Sequence, residues 1–315
     1  MYIGIDLGGT KIAAAVTDHS GENIVNKIVR PTEADKGCEN VTKNVFACID
    51  ELLANNSGDS LKAIGIGIPG RIKDDVILSA PNLPCWENVN PVDVLQSRYK
   101  KPVFTENDAN TAALAELLFG AGKGLSDFLY MTISTGIGGG IISNGKLLTG
   151  HNDLAGEIGH MIIMPGGTKC GCGQMGCLEA MASGTHLTNR LRKRLVKDRP
   201  ESIILELANN DPEQATTRHI AEAALKGDIF AIDLIKENAY YVALGINNCI
   251  HILDPELIII GGGLANFGDL FFDEIRAQIR KVRKADGMPL PGIVKSPLDQ
   301  DTGVLGAVAL AIEGE

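Results

Sequence analysis

The sequence predicts an α/β fold, and three observations support this. Short apolar segments rich in β-branched residues alternate with longer segments in which apolar residues recur every 3.6 positions. The 315 residues are about twice the length of a typical domain, so two lobes are expected. Hydrophobic residues make up 44% of the chain and charged residues 22%, a composition typical of a globular protein with a sizeable core.

The alternation can be followed from end to end. Strands are predicted at 2–7, 11–18, 63–68, 103–105, 128–133, 139–143 and 257–260. Helices are predicted at 40–55, 109–118, 185–196, 229–252 and 270–281, where the apolar period is helical. The segments DLGGTKIAAAV at 6–16 and STGIGGGII at 134–142 both place glycines between two apolar strands, which indicates two related halves.

Charge and cysteine usage exclude several classes of protein. The net charge of −10 comes from 39 acidic and 29 basic residues without a Lys/Arg block, so nucleic acid and anionic membranes are poor partners. The start MYIGIDLGG lacks a signal-peptide pattern and the chain has no run of 18 apolar residues, so a cytoplasmic protein is expected. Seven cysteines argue against a disulfide framework, and the isolated Cys38, Cys48, Cys85 and Cys249 are interpreted as buried or half-buried thiols.

Three glycine clusters follow predicted strands, the third being GGGL at 261–264. Backbone without Cβ atoms can approach phosphate oxygens closely, so the clusters suggest a nucleotide site, although each alone also fits a tight hairpin turn. The dinucleotide pattern G-x-G-x-x-G fails at all of them. GIISNGKL at 140–147 nearly matches the Walker pattern, but Leu147 replaces its Ser/Thr, and SNGK fits a hairpin turn better.

The order of several motifs resembles the ROK family of sugar kinases. These are DLGGTK, GIGIPG at 65–70, PNL at 81–83, ENDAN at 106–110, STGIGGG, EIGH at 157–160, CGCGQMGCLE at 170–179 and IIIGGGL, and they extend over nearly the whole chain. The resemblance implies the actin/Hsp70/hexokinase-like ATPase fold, with two RNase-H-like α/β lobes that close over a cleft, and a homodimer. The lobes are expected at 1–118, with a C-terminal helix at about 302–315 packed back on it, and at 119–301.

The resemblance further implies ATP and Mg²⁺ as cofactors. Asp6 would lie near the magnesium, reached through water, and the phosphates would be held by Gly8, Gly9, Thr10 and Lys11. Thr135, Gly136 and Gly138 would face them from the other lobe, and Gly262 and Gly263 would border the nucleoside.

For the chemistry, the motif match makes Asp108 the general base that accepts the proton of the attacking sugar hydroxyl. Taken alone, Asp108 also fits the N-cap of the following helix. The family pattern assigns sugar binding to Asn107 and to three residues around the cysteine cluster, Glu157, His160 and Glu179, although both glutamates alone would read as surface acids. Gly70 and Asn82 are weaker candidates for the same pocket.

One histidine and three cysteines lie close together in the segment EIGHMIIMPGGTKCGCGQMGC. His160, Cys170, Cys172 and Cys177 are separated by nine, one and four residues. Four ligands of Cys₃His type make a closed structural zinc site, so catalytic zinc is disfavoured, and without a C-x-x-C pair so is a redox role. The zinc would order a loop with few apolar anchors and carry His160 and Glu179 to the sugar, with the second imidazole nitrogen fixed as a donor.

Three functional classes can be compared with these motifs. A sugar kinase accounts for every motif. A sugar-sensing ROK repressor would normally carry an additional N-terminal winged helix-turn-helix, for which a motif starting at Asp6 leaves no room. A non-enzymatic actin/Hsp70-like module has no use for ENDAN and the segment from EIGH to CLE.

The substrate favoured by the sequence is glucose, phosphorylated at its 6-hydroxyl. PNLPCW resembles the PNLPGW element of glucokinases, with Cys85 in place of glycine. MYIGIDLGGTKIA and GGGLANF also resemble N-acetylglucosamine kinases. N-acetylglucosamine, N-acetylmannosamine, fructose and allose therefore stay as alternatives.

Overall fold

A computed structural model describes residues 1–21, 23–56, 60–283 and 289–315. Helices and strands alternate within these ranges, which confirms the α/β class. The strands are β1 (Tyr2–Leu7), β2 (Lys11–Thr17), β3 (Ile24–Pro31), β4 (Ala63–Ile68), β5 (Arg71–Lys73), β6 (Val76–Ser79), β7 (Val103–Asn107), β8 (Phe128–Ile133), β9 (Ile137–Ser143), β10 (Lys146–Leu147), β11 (Leu257–Gly261) and β12 (Gly292–Lys295). The helices are α1 (Cys38–Asn55), α2 (Pro91–Tyr99), α3 (Asp108–Phe119), α4 (Leu178–Ala182), α5 (Gly184–Lys197), α6 (Ile204–Leu207), α7 (Thr217–Leu225), α8 (Ile229–Leu253), α9 (Asp269–Arg283) and α10 (Thr302–Gly314).

The two large sheets share one strand order. Across the described residues, one sheet has the order β3-β2-β1-β4-β7 and the other β10-β9-β8-β11-β12. In each, three consecutive strands form a meander and two later strands add on the far side of its first strand. In the first sheet the meander is antiparallel, and β1, β4 and β7 are parallel. The repeated order confirms the two related halves predicted from the glycine clusters.

Strands β1 and β4 alternate isoleucine with glycine, which gives the first sheet two different faces. The isoleucines are buried in one apolar cluster together with residues of α1. On the other face the absence of side chains lets α10 approach the sheet closely. A Cβ atom on Gly65 would lie 1.9 Å from the carbonyl oxygen of Ala307, and one on Gly4 would lie 2.5 Å from the nitrogen of Val308.

The chain forms two compact units. The first comprises residues 1–130, 140–156 and 296–315, and the second comprises 131–139 and 157–295. These limits differ from the lobe limits expected at residues 118 and 301. In the first unit α10 packs against α3, β1 and β4, and in the second α8 packs against α9, α7 and α4.

Each strand and helix predicted from the sequence is present, with ends within two residues of those expected. SNGK forms the predicted hairpin turn between β9 and β10, with Asn144 and Gly145 at φ of 53° and 72°. Among the described residues, no helix combines the length and the apolar character needed to cross a bilayer.

Candidate active site

Three parallel strands of the first sheet end at one edge, and predicted site residues lie there. Asp6 of β1 pairs with Gly67 of β4, which pairs in turn with Glu106 of β7. This register brings Asp6 to the same edge as Gly70, which follows β4, and Asp108, which follows β7. Ligands of α/β proteins characteristically bind at the carboxyl ends of such strands.

Asn107 caps helix α3 and leaves Asp108 at its first position. Asn107 Oδ1 accepts hydrogen bonds from the backbone nitrogens of Ala109 at 2.9 Å and Asn110 at 3.3 Å. Its Nδ2 donates to the carbonyl oxygen of Gly70 at 3.0 Å. The N-cap considered for Asp108 is therefore its neighbour, and because a primary amide has two N–H groups, Asn107 can cap the helix and still donate to a ligand.

Asp108 lies in the first turn of α3, where the helix dipole stabilises a carboxylate. Its Oδ1 accepts a hydrogen bond from the nitrogen of Ala109 at 2.9 Å. Glu106 holds the segment from the other side, since its Oε1 accepts from the nitrogen of Asn107 at 2.7 Å and from Nδ2 of Asn110 at 3.1 Å. Sequence reasoning missed this bracing role of Glu106, although the residue belongs to ENDAN.

Asp6 is the second carboxyl group at this edge. Burial, and after it the charge of Asp108, raise the pKa of Asp6 from 3.8 to about 6, while Lys11 and Lys27 oppose the shift. Helix α10 starts directly against it, because a Cβ atom on Gly303 would lie 2.4 Å from Oδ2 of Asp6. Two neighbouring carboxyl groups that resist joint ionisation are suited to a cation such as Mg²⁺.

The DLGGTK segment forms the hairpin between β1 and β2. The nitrogen of Gly8 donates to the carbonyl oxygen of Lys11 at 2.9 Å, so the turn is closed by Gly8 and its tip is Gly9 and Thr10. Gly9 lies against the PNL segment, since a Cβ atom there would lie 2.4 Å from the carbonyl oxygen of Asn82. The hairpin-turn alternative thus describes the backbone correctly, and it leaves the exposed tip as the part that can face a phosphate.

In the second unit, the corresponding loop runs from Ser134 to Gly138, between β8 and β9. Glu179 of α4 holds it, because its Oε2 accepts a hydrogen bond from the nitrogen of Ile137 at 3.0 Å. A Cβ atom on Gly136 would lie 2.6 Å from the same Oε2. A side chain at position 136 would therefore push this carboxylate away from its present position.

A polar pocket of about 390 Å³ adjoins this loop. Thr135 and Gly263, both predicted to contact the nucleotide, line it. Sequence reasoning missed the other polar lining residues, which are Ser134, Thr185, Thr188, Asn189, Arg192 and Thr217. Arg192 is held in place because its Nε donates to the carbonyl oxygen of Ala215 at 3.0 Å. The members on α5 look like an ordinary solvated helix face, and Thr217 is the first residue of α7, so no sequence signal distinguished them.

The four predicted zinc ligands converge in the second unit. The ligand atoms of His160, Cys170, Cys172 and Cys177 all lie within 4.8 Å of one another. The sulfurs of Cys172 and Cys177 are 3.7 Å apart, and a tetrahedral zinc with Zn–S bonds of about 2.3 Å requires about 3.8 Å. The donor set and the spacing both fit a closed structural zinc site.

The same geometry orients the histidine. Nδ1 of His160 faces the cluster, 3.6 Å from the sulfur of Cys170, and Nε2 lies on the other side, 3.9 Å from Oε2 of Glu157. With zinc on Nδ1, Nε2 is the N–H donor. The second unit thus brings together Glu157, His160 and Glu179 around the metal cluster, while the first unit brings together Asp6, Gly70, Asn107 and Asp108.

Comparison with known proteins gives one consistent result. The sequence model of the ROK family matches residues 2–314. The chain is 37% identical over 313 residues to the glucokinase of Thermotoga maritima, covering 99% of this chain and 97% of that protein. It is also 33% identical to the xylose repressor of Caldicellulosiruptor bescii, covering 98% of this chain and 77% of the repressor.

Among solved structures, the chain resembles the ROK family glucokinase from Streptomyces griseus in complex with glucose and AMPPNP. The TM-score is 0.85, with 35% identity and 99% of each chain covered. This similarity confirms the predicted actin/Hsp70/hexokinase-like ATPase fold.

Proposed function

The chain belongs to the ROK family, and we propose that it is an ATP-dependent hexokinase whose preferred substrate is glucose, phosphorylated at the 6-hydroxyl. The geometric observation that carries the proposal is the convergence of Asp6, Gly70, Asn107 and Asp108 at the carboxyl ends of β1, β4 and β7. The full-length similarity to glucokinases from Thermotoga maritima and Streptomyces griseus supports it.

Asp108 is the proposed general base. Its place in the first turn of α3 favours the ionised carboxylate, which is the form that can accept a proton from the attacking hydroxyl. The proton passes to the carboxylate as the hydroxyl oxygen attacks the γ-phosphorus, and ADP leaves on the opposite side. The nitrogen of Ala109 donates to Oδ1 of Asp108 and to Oδ1 of Asn107. These hydrogen bonds restrain the Asp108 carboxylate and so fix its orientation towards the hydroxyl.

Hexose binding is assigned to groups whose oxygen and nitrogen atoms can bind hydroxyls. In the first unit these are Asn107 through its second amide N–H, Gly70 and Asn82. In the second unit they are the carboxylates of Glu157 and Glu179 and the Nε2 of His160. A zinc ion held by His160, Cys170, Cys172 and Cys177 would keep the loop that carries them in one conformation.

Nucleotide binding is assigned to two glycine-containing turns and one pocket. The hairpin residues Gly8, Gly9, Thr10 and Lys11 and the loop residues Thr135, Gly136 and Gly138 would surround the phosphates. In the hairpin the amides at the tip would make the contacts, since the nitrogen of Gly8 already donates to Lys11. Asp6 would hold Mg²⁺ through its water ligands. Gly262 and Gly263 and the pocket beside α5 would receive the nucleoside, with Thr185, Thr188, Asn189, Arg192 and Thr217 as polar contacts.

The experiment that tests the proposal is a coupled ADP-release assay with Mg²⁺ and ATP. The hexose panel contains glucose, mannose, fructose, allose, N-acetylglucosamine and N-acetylmannosamine, and the zinc content of the protein is measured beforehand. Turnover with glucose well above the others supports the proposal in full. Higher turnover with another sugar would support the kinase activity and identify that sugar, not glucose, as the preferred substrate.

A sugar sensor is the second candidate, because relatives named xylose repressor are also about one third identical to this chain. Saturable binding of a sugar without ADP release on any hexose would favour it over the kinase. The expected homodimer stays a prediction, which sedimentation equilibrium tests directly. The expected cytoplasmic location also stays a prediction.

A further inference from the structure

Helix α4 connects the proposed hexose and nucleotide residues of the second unit, yet it has only five residues, Leu178–Ala182. A helix of this length is not stable by itself, so its neighbours must hold both of its ends. At its start, Cys177 belongs to the metal cluster and the nitrogen of Leu178 donates to the carbonyl oxygen of Met161 at 2.8 Å. Its other end is held differently.

Two side chains from other helices bind the last carbonyl groups of α4. Nδ2 of Asn238, a residue of α8 with 0% exposure, donates to the carbonyl oxygen of Ala182 at 2.9 Å. Nη1 of Arg190 on α5 donates to the carbonyl oxygen of Met181 at 2.9 Å. The final carbonyl groups of a helix have no partner within it, so these two donors satisfy groups that the helix cannot.

Helix α8 also fixes the direction of α4. A Cβ atom on Gly245 would lie 2.5 Å from Cδ2 of Leu178, so the start of α4 lies against Gly245 and its end against Asn238. Helix α4 therefore runs antiparallel to α8. Arg190 is itself tied to α8, since its Nε lies 3.5 Å from Oε1 of Glu237 and its guanidinium lies 5.6 Å from the ring centre of Tyr241.

The position of α4 affects the loop from Ser134 to Gly138 through contacts at both ends of the helix. Glu179, in its first turn, binds the nitrogen of Ile137 with Oε2. Directly after α4, the nitrogen of Gly184 donates to the carbonyl oxygen of Ser134 at 2.7 Å, and the nitrogen of Thr185 donates to that of Thr135 at 3.4 Å. The loop from Ser134 to Gly138 is thus attached to α4 at one end and to its C-terminal extension at the other.

There is little room for α4 to shift without moving this loop. A Cβ atom on Gly184 would lie 2.7 Å from the carbonyl oxygen of Ser134, and one on Gly136 would lie 2.6 Å from Oε2 of Glu179. The backbone of Gly184 and the carboxylate of Glu179 thus lie directly against the loop, and their hydrogen bonds to Ser134 and Ile137 transmit a displacement of the helix, because close-packed interiors have little free space to absorb it.

We propose that Asn238, assisted by Arg190, is a positioning residue that holds the carbonyl end of α4 and so sets the affinity for hexose and nucleotide together. Asn238 would contact neither the hexose nor the nucleotide, and it would act on both through α4. The inference rests on the proposed function, because it takes Glu179 as a hexose ligand and the loop from Ser134 to Gly138 as a phosphate ligand.

The test is the variant Asn238→Leu, which has the same number and branching of side-chain heavy atoms but no donor. Steady-state kinetics give kcat and the two KM values, calorimetry gives the Kd for ADP with Mg²⁺, and thermal unfolding gives Tm. We expect the KM for hexose and the Kd for ADP each to rise about three- to tenfold, because one buried hydrogen bond is lost and a carbonyl group is left unsatisfied. The control is Ile275→Val in the buried part of α9, which lowers Tm and leaves both affinities unchanged.

A second pair of variants covers the case in which Asn238→Leu does not fold. Arg190→Lys keeps a donor for Met181, and Arg190→Met keeps the stem without one, so the first should retain both affinities and the second should lose part of both. A lowered Tm with unchanged KM and Kd in Asn238→Leu or Arg190→Met overturns the proposal. If the wild type binds ADP but phosphorylates no hexose, the proposed function is wrong, and the Kd for ADP of the variants still tests the positioning role of Asn238. A wild type that does not bind ADP overturns both the proposed function and the role of Asn238.

Discussion

Asp6 and Asp108 are two carboxyl groups close enough for the charge of one to raise the pKa of the other. Burial is the larger cause, and with Asp108 it brings the pKa of Asp6 to about 6 against 3.8 for an unperturbed aspartate. In the folded state Asp6 thus keeps its proton over a pH range in which the unfolded chain has lost it. Ionised Asp6 therefore destabilises the ligand-free fold at neutral pH, as expected of a residue kept for binding a cation.

We expect Asp6→Asn to stabilise the ligand-free protein at pH 7.5. The cost of ionising Asp6 is absent below about pH 4, grows as the pH rises towards 6 and is complete above it, where it amounts to roughly 1–3 kcal/mol. The gain in the variant should therefore shrink at pH 4. Urea unfolding at both pH values measures it, and an equal gain at both would contradict the assigned pKa.

Asp18→Asn is the control of opposite sign. Hydrogen bonds from Ser20 and Asn23 lower the pKa of the exposed Asp18 to about 2, so its ionised form stabilises the fold. Replacing it should reduce stability at pH 7.5, not increase it.

Asp108→Asn should lower kcat by about 10²- to 10⁴-fold and leave the affinity for hexose almost unchanged, because a general base acts in the transition state. The measurements are steady-state kinetics and calorimetric hexose binding. Asp93→Asn is the matched control, since Asp93 is an exposed carboxylate in the first turn of α2. Full activity in Asp108→Asn would remove Asp108 as the base.

Cys172→Ser should lose zinc and affinity for hexose together. Cys172 is exposed, so the substitution opens no cavity in the core, and its effect reports on the metal site. We expect the metal affinity to fall at least about tenfold, measured by metal analysis after dialysis, with a higher KM for hexose. Cys38→Ser is the control, a half-buried thiol outside the cluster. Retention of metal and affinity in Cys172→Ser would contradict the zinc site.

A strong chelator should lower the Tm of the wild type and have less effect on Cys172→Ser. Metal that binds only the folded protein adds its binding free energy to folding, so removing it shifts the unfolding transition downwards. The comparison is made by calorimetric scans with and without chelator. Equal shifts in the two proteins would show that the chelator acts elsewhere.

Gly9→Ala should raise the KM for ATP and reduce kcat/KM roughly tenfold or more, because misplaced binding groups are costly in catalysis. Its Cβ atom would lie 2.4 Å from the carbonyl oxygen of Asn82, so the hairpin tip and the PNL segment must separate. Gly145→Ala is the control: its φ of 72° strains alanine and should lower Tm, but its Cβ atom would meet nothing within 4 Å, so the KM for ATP should stay unchanged. Equal effects of the two substitutions would argue against a specific role for the Gly9 contact.

Local pattern was sufficient to predict the strands and helices with strong apolar signals. It missed β3, because the polar residues Asn26, Lys27 and Arg30 interrupt its apolar run and no residue of the strand is fully buried. It missed α4, because five residues do not display a helical period. What holds α4 is a side chain about 60 positions later in the chain, Asn238, and no local pattern contains that information.

The residues of the candidate site likewise divide into those that the sequence predicts and those that it does not. Spacing indicated the four metal ligands, since His160 and the cysteines lie within one short segment, and their convergence fits that prediction. Motifs marked Asp6 and Asp108 separately, but only the register of β1, β4 and β7 explains why one shifts the pKa of the other. The pocket residues Thr188 and Arg192 could not be found, because a polar residue on a helix surface has the same pattern whether it faces water or a ligand.

The packing of α10 against β1, β4 and α3 has a consequence for biosynthesis. Residues 1–130 emerge from the ribosome first, but the helix that covers the glycine face of their sheet is made last, after the whole of 157–295. Until α10 is made, the part of this face at Gly4 and Gly65 lacks its covering helix, so it is open to chaperones or to wrong partners. The first unit can reach its native form only after α10 has left the ribosome, although most of its strands are made much earlier.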